Sequence, residues 1–174
     1  MSNQAIVYLG MDQLLTLRPY ESNHFPILER WITGSDMLFH FAGTEFTYPI
    51  TEDQVFTYRA QHLVRPWYVA YKEDEPVAFG ELIPQDDGVP RLARLLIGEP
   101  AKRGKGIGSI FVKALVDECI RLYAPPAVEL YVWNGNLQAI RCYEKCRFTF
   151  LPNGSLTIYH EGRPYLIRKM RLWL

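Results

Sequence analysis

Ile97-Gly98-Glu99-Pro100-Ala101-Lys102-Arg103-Gly104-Lys105-Gly106-Ile107-Gly108-Ser109 is the stretch that decides the fold. It leaves an apolar run, Leu92 to Ile97, that reads as a strand, and it opens an amphipathic helix reaching to about Leu122. Glycines at 104, 106 and 108 remove side chains where strand turns into helix, so bare backbone amides can approach an anion closely. The helix N-terminus adds partial positive charge at the same place. Lys102, Arg103 and Lys105 add full charges. A phosphate group is the natural guest. Two common phosphate loops do not fit. A Walker loop would end in Gly-Lys-Ser/Thr, which is absent, and in a G-x-G-x-x-G reading from Gly104 the third glycine comes one residue early.

What precedes the loop fixes the kind of sheet. Leu14 to Arg18 reads as a short strand ended by Pro19, and Ser22 is placed to cap a helix from about His24 to Ile32. Asp36 to Pro49 is aromatic without a clear period and reads as a loop. Thr51-Glu52-Asp53-Gln54 is a capping box that starts a helix to about His62. Trp67 to Tyr71, Val77 to Ile83 and Leu92 to Ile97 then read as three consecutive strands joined by turns. A meander before the glycine loop predicts a mixed sheet and excludes a doubly wound dinucleotide fold.

After the long helix, Pro125-Pro126 breaks the chain and Val128 to Trp133 reads as a strand. Asn136 caps a helix to about Cys146. Phe148 to Leu151 and Tyr165 to Leu172 read as the last strands, with Ser155 to His160 as a short one between them. Pro152-Asn153-Gly154 and Glu161-Gly162-Arg163 read as turns.

Composition bounds the function. The chain has 174 residues, enough for one domain with a real core, spanning 1–174. Nineteen basic and nineteen acidic residues cancel, which argues against a nucleic-acid partner, since that needs a basic excess. There is no apolar run of the roughly 18 residues that a membrane span needs, and Met1 to Gln13 does not read as a signal peptide. Cys119, Cys142 and Cys146 are too few and wrongly spaced for a disulfide framework or a zinc site, and read as buried thiols in a reducing cytoplasm. The four histidines show no partner spacing and read as surface or core residues. No metal is expected.

Arg103-Gly104-Lys105-Gly106-Ile107-Gly108 resembles the R/Q-x-x-G-x-G/A loop of the GNAT superfamily of acyl-CoA N-acyltransferases, and Pro100 also matches. Asn136 to Lys145, followed by Phe148, resembles the N-x-x-A-x-x-x-Y-E-K-x-G-F segment of the same superfamily, in the same order and about 30 residues on. The resemblance covers roughly Trp67 to Leu172. It implies an α+β (mixed α/β) GNAT-like fold: a central, mostly antiparallel twisted sheet of six to seven strands flanked by about four helices.

The resemblance also implies a chemistry. The loop, Arg103 to Ser109 (Arg103, Gly104, Lys105, Gly106, Ile107, Gly108, Ser109), would hold the pyrophosphate of acetyl-CoA as cosubstrate. Leu96, Ile97 and Gly98 would bond the pantetheine arm, an amide near Ile97 or Gly98 would hold the thioester carbonyl, and Asn136 would contact the cofactor. Tyr143 would protonate the departing thiolate. An amine would attack directly in a ternary complex, its proton taken by Glu81, by Glu129 or by a water chain. Strand alternation puts Glu129, Tyr131 and Trp133 on one face, and Tyr131 stands where some relatives carry an acidic base. The acceptor is a protein N-terminus, a small amine or an aminoglycoside; a non-catalytic acyl-CoA-binding regulator is the reading from a different class. The Leu172-Trp173-Leu174 end is the expected site of any homodimer contact. One departure stands out: Arg147 replaces the usual glycine before Phe148, which predicts either a residue with positive φ or a different helix exit.

Overall fold

The computed structural model of the protein describes residues 6–10, 13–99 and 104–174. Pro100, Lys102 and Arg103, to which the sequence assigns motif roles, lie outside the described residues. Eight strands form one sheet: β1 (Ile6–Gly10), β2 (Gln13–Pro19), β3 (Trp67–Lys72), β4 (Glu75–Ile83), β5 (Arg91–Ile97), β6 (Ala127–Trp133), β7 (Thr149–His160) and β8 (Arg163–Trp173). Their spatial order is β1-β2-β3-β4-β5-β6-β8-β7. Every neighbouring pair is antiparallel except β5 and β6. A parallel pair needs a crossover, and α4 (Ile107–Tyr123) supplies it.

Both faces of the sheet are covered. On one side α4 packs Phe111, Leu115 and Cys119, and the turn after α5 (Leu137–Lys145) packs Phe148, against Leu15, Leu92 and Leu130. On the other, α1 (Phe25–Trp31), α2 (Ser35–Ala42) and α3 (Glu52–Gln61) build an aromatic cluster around Trp31, Phe41, Tyr58, Trp67 and Phe79. Alternation along β3 sends Tyr68 and Ala70 to the first core and Trp67, Val69 and Tyr71 to the second. Hence the strand reads as an unbroken apolar run, the pattern of a strand buried on both faces.

The mixed, mostly antiparallel sheet is as expected; its details differ. The strand count is eight because Ile6–Gly10 pairs with β2, a hairpin partner too short to read in the sequence. Asp36 to Pro49 is not all loop: α2 runs through it, burying Leu38, Phe39 and Phe41. Its aromatic crowding hides the helical period, and its N-cap is Gly34, with no side-chain cap to announce it. Glu21, not Ser22, starts the next segment, a short 3-10 turn in which its N–H donates to His24 Nδ1 at 2.9 Å. Pro152-Asn153-Gly154 does not end a strand. It is absorbed within β7 as a bulge, since Phe150 pairs with Met170 and Ser155 with Arg168.

Leu172 is buried in the core, so only Trp173 and Leu174 of the apolar C-terminal end are exposed. No helix among the described residues is long and apolar enough to cross a membrane.

Candidate active site

The site begins with a defect in the sheet. Phe79 pairs with Leu96 and Glu81 with Ala93, so Arg94 and Leu95 together oppose Gly80. This is a β-bulge, and it puts Arg94 at a φ of 50°. The parallel pairing of β5 with β6 covers only Arg91↔Glu129 and Leu92↔Leu130. Beyond the bulge the two strands share no further ladder, and a cleft opens beside Leu95, Leu96 and Ile97.

The glycine loop closes one end of that cleft. Gly104 and Gly106 have φ values of 76° and 85°, a region costly for any residue with a Cβ. Gly106 is the N-cap of α4 and no side chain caps it. The first helical bond runs from Ile110 N–H to Gly106 O, so the amides of Ile107, Gly108 and Ser109 have no acceptor within the helix. The Ser109 hydroxyl donates to Gly106 O at 2.9 Å, bracing the turn. Ile107 offers backbone only, because its side chain is in the core. Lys105 is exposed. A Cβ on Gly108 would stand 3.2 Å from Cys142 Sγ, so glycine there lets α4 and α5 approach. At the C-terminal end of β5, where the chain leaves toward the loop, a Cβ on Gly98 would collide with the Trp31 ring. Gly98 N–H donates to Val77 O at 3.0 Å, so this amide is used by the sheet and does not serve the thioester carbonyl.

Helix α5 forms the facing wall. Asn136 Oδ1 accepts from Ala139 N–H at 3.1 Å, capping the helix and fixing its own side chain in the cleft. Two turns later Tyr143 is 8% exposed. Burial pushes its hydroxyl pKa up strongly, with the neighbouring Cys142 and Cys146 adding to the shift, so it stays protonated. Beyond it the chain leaves the helix through a Schellman turn. Arg147 N–H donates to Glu144 O at 2.8 Å and Phe148 N–H to Tyr143 O at 3.0 Å, with Arg147 at a φ of 68°. Of the two exits open to Arg147, this is the positive-φ one. Phe148 packs near the Tyr143 ring at 6.4 Å and anchors that side of the site.

Two cavities meet here. One, of about 460 Å³, runs along Leu95, Leu96 and Ile97 to Gly104, Gly106, Gly108 and Ser109. The other, of about 400 Å³, lies under α2 and against Tyr58, Arg94, Tyr131 and Trp133. His40, Phe41, Leu95, Asn136, Ala139 and Tyr143 line both. The first runs from the strand edge to the helix N-terminus, where free backbone donors face it. The second is a separate chamber opening on the same tyrosine.

The two carboxylates expected as bases are placed otherwise. Glu129 is fully buried, and its carboxylate is clamped by Lys169, at 2.9 Å, and by Arg171. Burial alone would raise its pKa, but bonding and charge from these cations outweigh that and hold it below the ordinary value. It lines neither cavity and is held as an anion inside the sheet by two cations. Glu81 is also fully buried, taking the Tyr58 hydroxyl at 2.9 Å and the Arg94 guanidinium. It reaches the second cavity only through those two residues.

The sequence marks His40 only as a surface or core residue, yet it lines both cavities, stacked on Trp133 at 5.0 Å. Burial lowers its pKa, partly countered by Asp36 and reinforced by His160, so it is neutral at neutral pH. No spacing signal marks it, because α2 itself was hidden. Arg94 and Tyr58 were missed for a related reason: a bulge and a cross-sheet contact bring them together.

The acetyltransferase (GNAT) family model matches residues 35–148. Over 93% of this chain, and 86% of the relative, the sequence is 27% identical to an aminoglycoside N(6')-acetyltransferase type 1 of Klebsiella pneumoniae. A spermine/spermidine N(1)-acetyltransferase of Bacillus subtilis is 31% identical over 39% of this chain and 42% of that protein. The fold matches the spermidine N-acetyltransferase of Vibrio cholerae, solved with CoA and spermine, at a TM-score of 0.76 and 17% identity, covering 91% of this chain and 95% of that one. It also matches an aminoglycoside acetyltransferase bound to coenzyme A at a TM-score of 0.72 and 24% identity, covering 91% and 94%. With its split sheet, glycine turn and buried tyrosine, the chain belongs to the acetyltransferase (GNAT) family.

Proposed function

We propose that this acetyltransferase moves an acetyl group from acetyl-CoA to a primary amine, a small molecule or a peptide N-terminus, with both substrates bound at once. The single observation that carries this reading is the pair of cavities that share Tyr143. The pyrophosphate sits on the amides of the Gly104–Ser109 turn and the pantetheine arm lies along Leu95 to Ile97. The thioester then reaches Tyr143, and the amine enters through the second cavity. Holding the two reactants together supplies much of the rate.

The neutral amine attacks the thioester carbonyl, the C–S bond breaks, and the thiolate takes the Tyr143 hydroxyl proton. His40 accepts the proton the amine must lose, since it is neutral and open to both cavities. Glu81 acts at a distance, positioning Tyr58 and Arg94.

Release of free thiol from acetyl-CoA, dependent on added amine, tests the reading. Thermal stabilisation by acetyl-CoA without thiol release from any amine would favour a binding module instead.

A further inference from the structure

The second cavity carries more positive than negative charge. Arg65, Arg91 and Arg94 line it, against one carboxylate, Glu45. Arg94 is already matched by Glu81 beneath it. Arg65 donates to the Tyr58 hydroxyl at 2.7 Å and Arg91 lies 5.1 Å over the Tyr131 ring. Neither makes an ion pair among the described residues, where the Arg94 and Glu81 pairing shows what a matched arginine looks like here. Behind Tyr131, Lys169 and Arg171 share the single carboxylate of Glu129. In addition, Arg94 Nε is buried and has no acceptor, in a side chain only 7% exposed.

A polycation entering this chamber would meet like charge in a partly desolvated space, where repulsion is strong. An amine that brings its own anion would not. Guanidinium groups present paired donors that fit carboxylate and phosphate oxygens. We infer that the acceptor is a small amine bearing its own acidic group, carboxylate or phosphate, held by Arg65 and Arg91 while its amine reaches Tyr143. This rests on the acetyl-transfer reading above and departs from the polyamine and aminoglycoside acceptors named for the relatives.

Calorimetry on the protein saturated with coenzyme A tests it, using matched probes: phenylalanine against phenylalaninamide, glucosamine 6-phosphate against glucosamine, and spermidine alone. The acidic member of at least one pair should bind about tenfold or more tighter than its neutral partner, and spermidine weakest. Which pair responds distinguishes carboxylate from phosphate. Arg65→Gln and Arg91→Gln should each reduce that preference with coenzyme A affinity unchanged. Tighter binding of spermidine or of the neutral members, or a preference untouched in both variants, would overturn the inference. The same probes in a thiol-release assay separate the two claims. Turnover confined to spermidine or to the neutral members would keep the transfer reading and overturn the acidic acceptor. Acidic preference in binding with no turnover of any probe would also overturn the acidic acceptor, leaving a chamber that binds an acidic ligand without acetylating it.

Discussion

Arg94 and Glu81 are locked together across the β-bulge: Arg94, at a φ of 50°, bonds the fully buried carboxylate of Glu81 through its guanidinium from the wall of the second cavity. The same guanidinium stacks 4.2 Å from the Tyr58 ring, whose hydroxyl donates to Glu81. One defect in the sheet therefore sets a three-residue unit that shapes the chamber.

Breaking one half of that pair should be costly. Glu81→Gln leaves the buried Arg94 with only the exposed Glu45, 3.9 Å away, as its anion, and we expect a loss of about 3 kcal/mol in chemical denaturation. The double variant Glu81→Gln with Arg94→Gln should recover much of it. A Glu81→Gln protein as stable as the parent would show that the pair does not hold the bulge.

Glu129 should matter for stability and not for chemistry. Its native pKa is held below the ordinary 4.5 by Lys169 and Arg171 despite burial. Its contribution is thus present above that value and lost as pH falls through the lower native one. Glu129→Gln is expected to lose about 3 kcal/mol while kcat stays within a few-fold of the parent. A collapse of kcat in a folded variant would return Glu129 to the list of bases.

Arg147 sits in a left-handed conformation at the C′ position of the Schellman turn. Arg147→Gly should raise stability by about 1 kcal/mol, because glycine adopts that conformation without a Cβ penalty. Thermal and denaturant melts check this; a loss of stability would mean that the Arg147 side chain contributes more than its strain costs.

His40 has a pKa lowered chiefly by burial. Below 6.5 the unfolded chain takes up a proton there that the native state resists, so stability should fall as pH drops from 6.5 toward the native value. The His40→Gln variant should lose less stability than the parent over that window. Its kcat should also drop, and lose the acid limb that the parent shows below pH 6.5. Parallel pH profiles for the two proteins would remove His40 as the proton acceptor.

Tyr143 is singled out by the resemblance of its segment to the family motif, while the glycine turn and the helix cap at Asn136 were legible because each rests on local chemistry, a positive φ and a capping oxygen. The meander was legible for the same reason, its turns being rich in charge, glycine and proline. What escaped depends on tertiary packing. Helix α2 owes its existence to burying Leu38 and Phe41 in the aromatic cluster on one face of the sheet and Phe39 against β7 and β8, where it stacks on His160 at 4.2 Å. The Arg94 bulge changes the register by one residue, which no propensity signals. The role of Glu129 turned on Lys169 and Arg171, some 40 residues later and adjacent only because β8 lies beside β6.

The central claim is that Tyr143 protonates the leaving thiolate at the junction of the two cavities. Single-turnover thiol release by Tyr143→Phe, with an amine that the parent acetylates, tests it most directly. The account predicts a fall in the rate of about 100-fold or more, with acetyl-CoA affinity changed by no more than a few-fold. An unchanged rate in a folded Tyr143→Phe protein would contradict it.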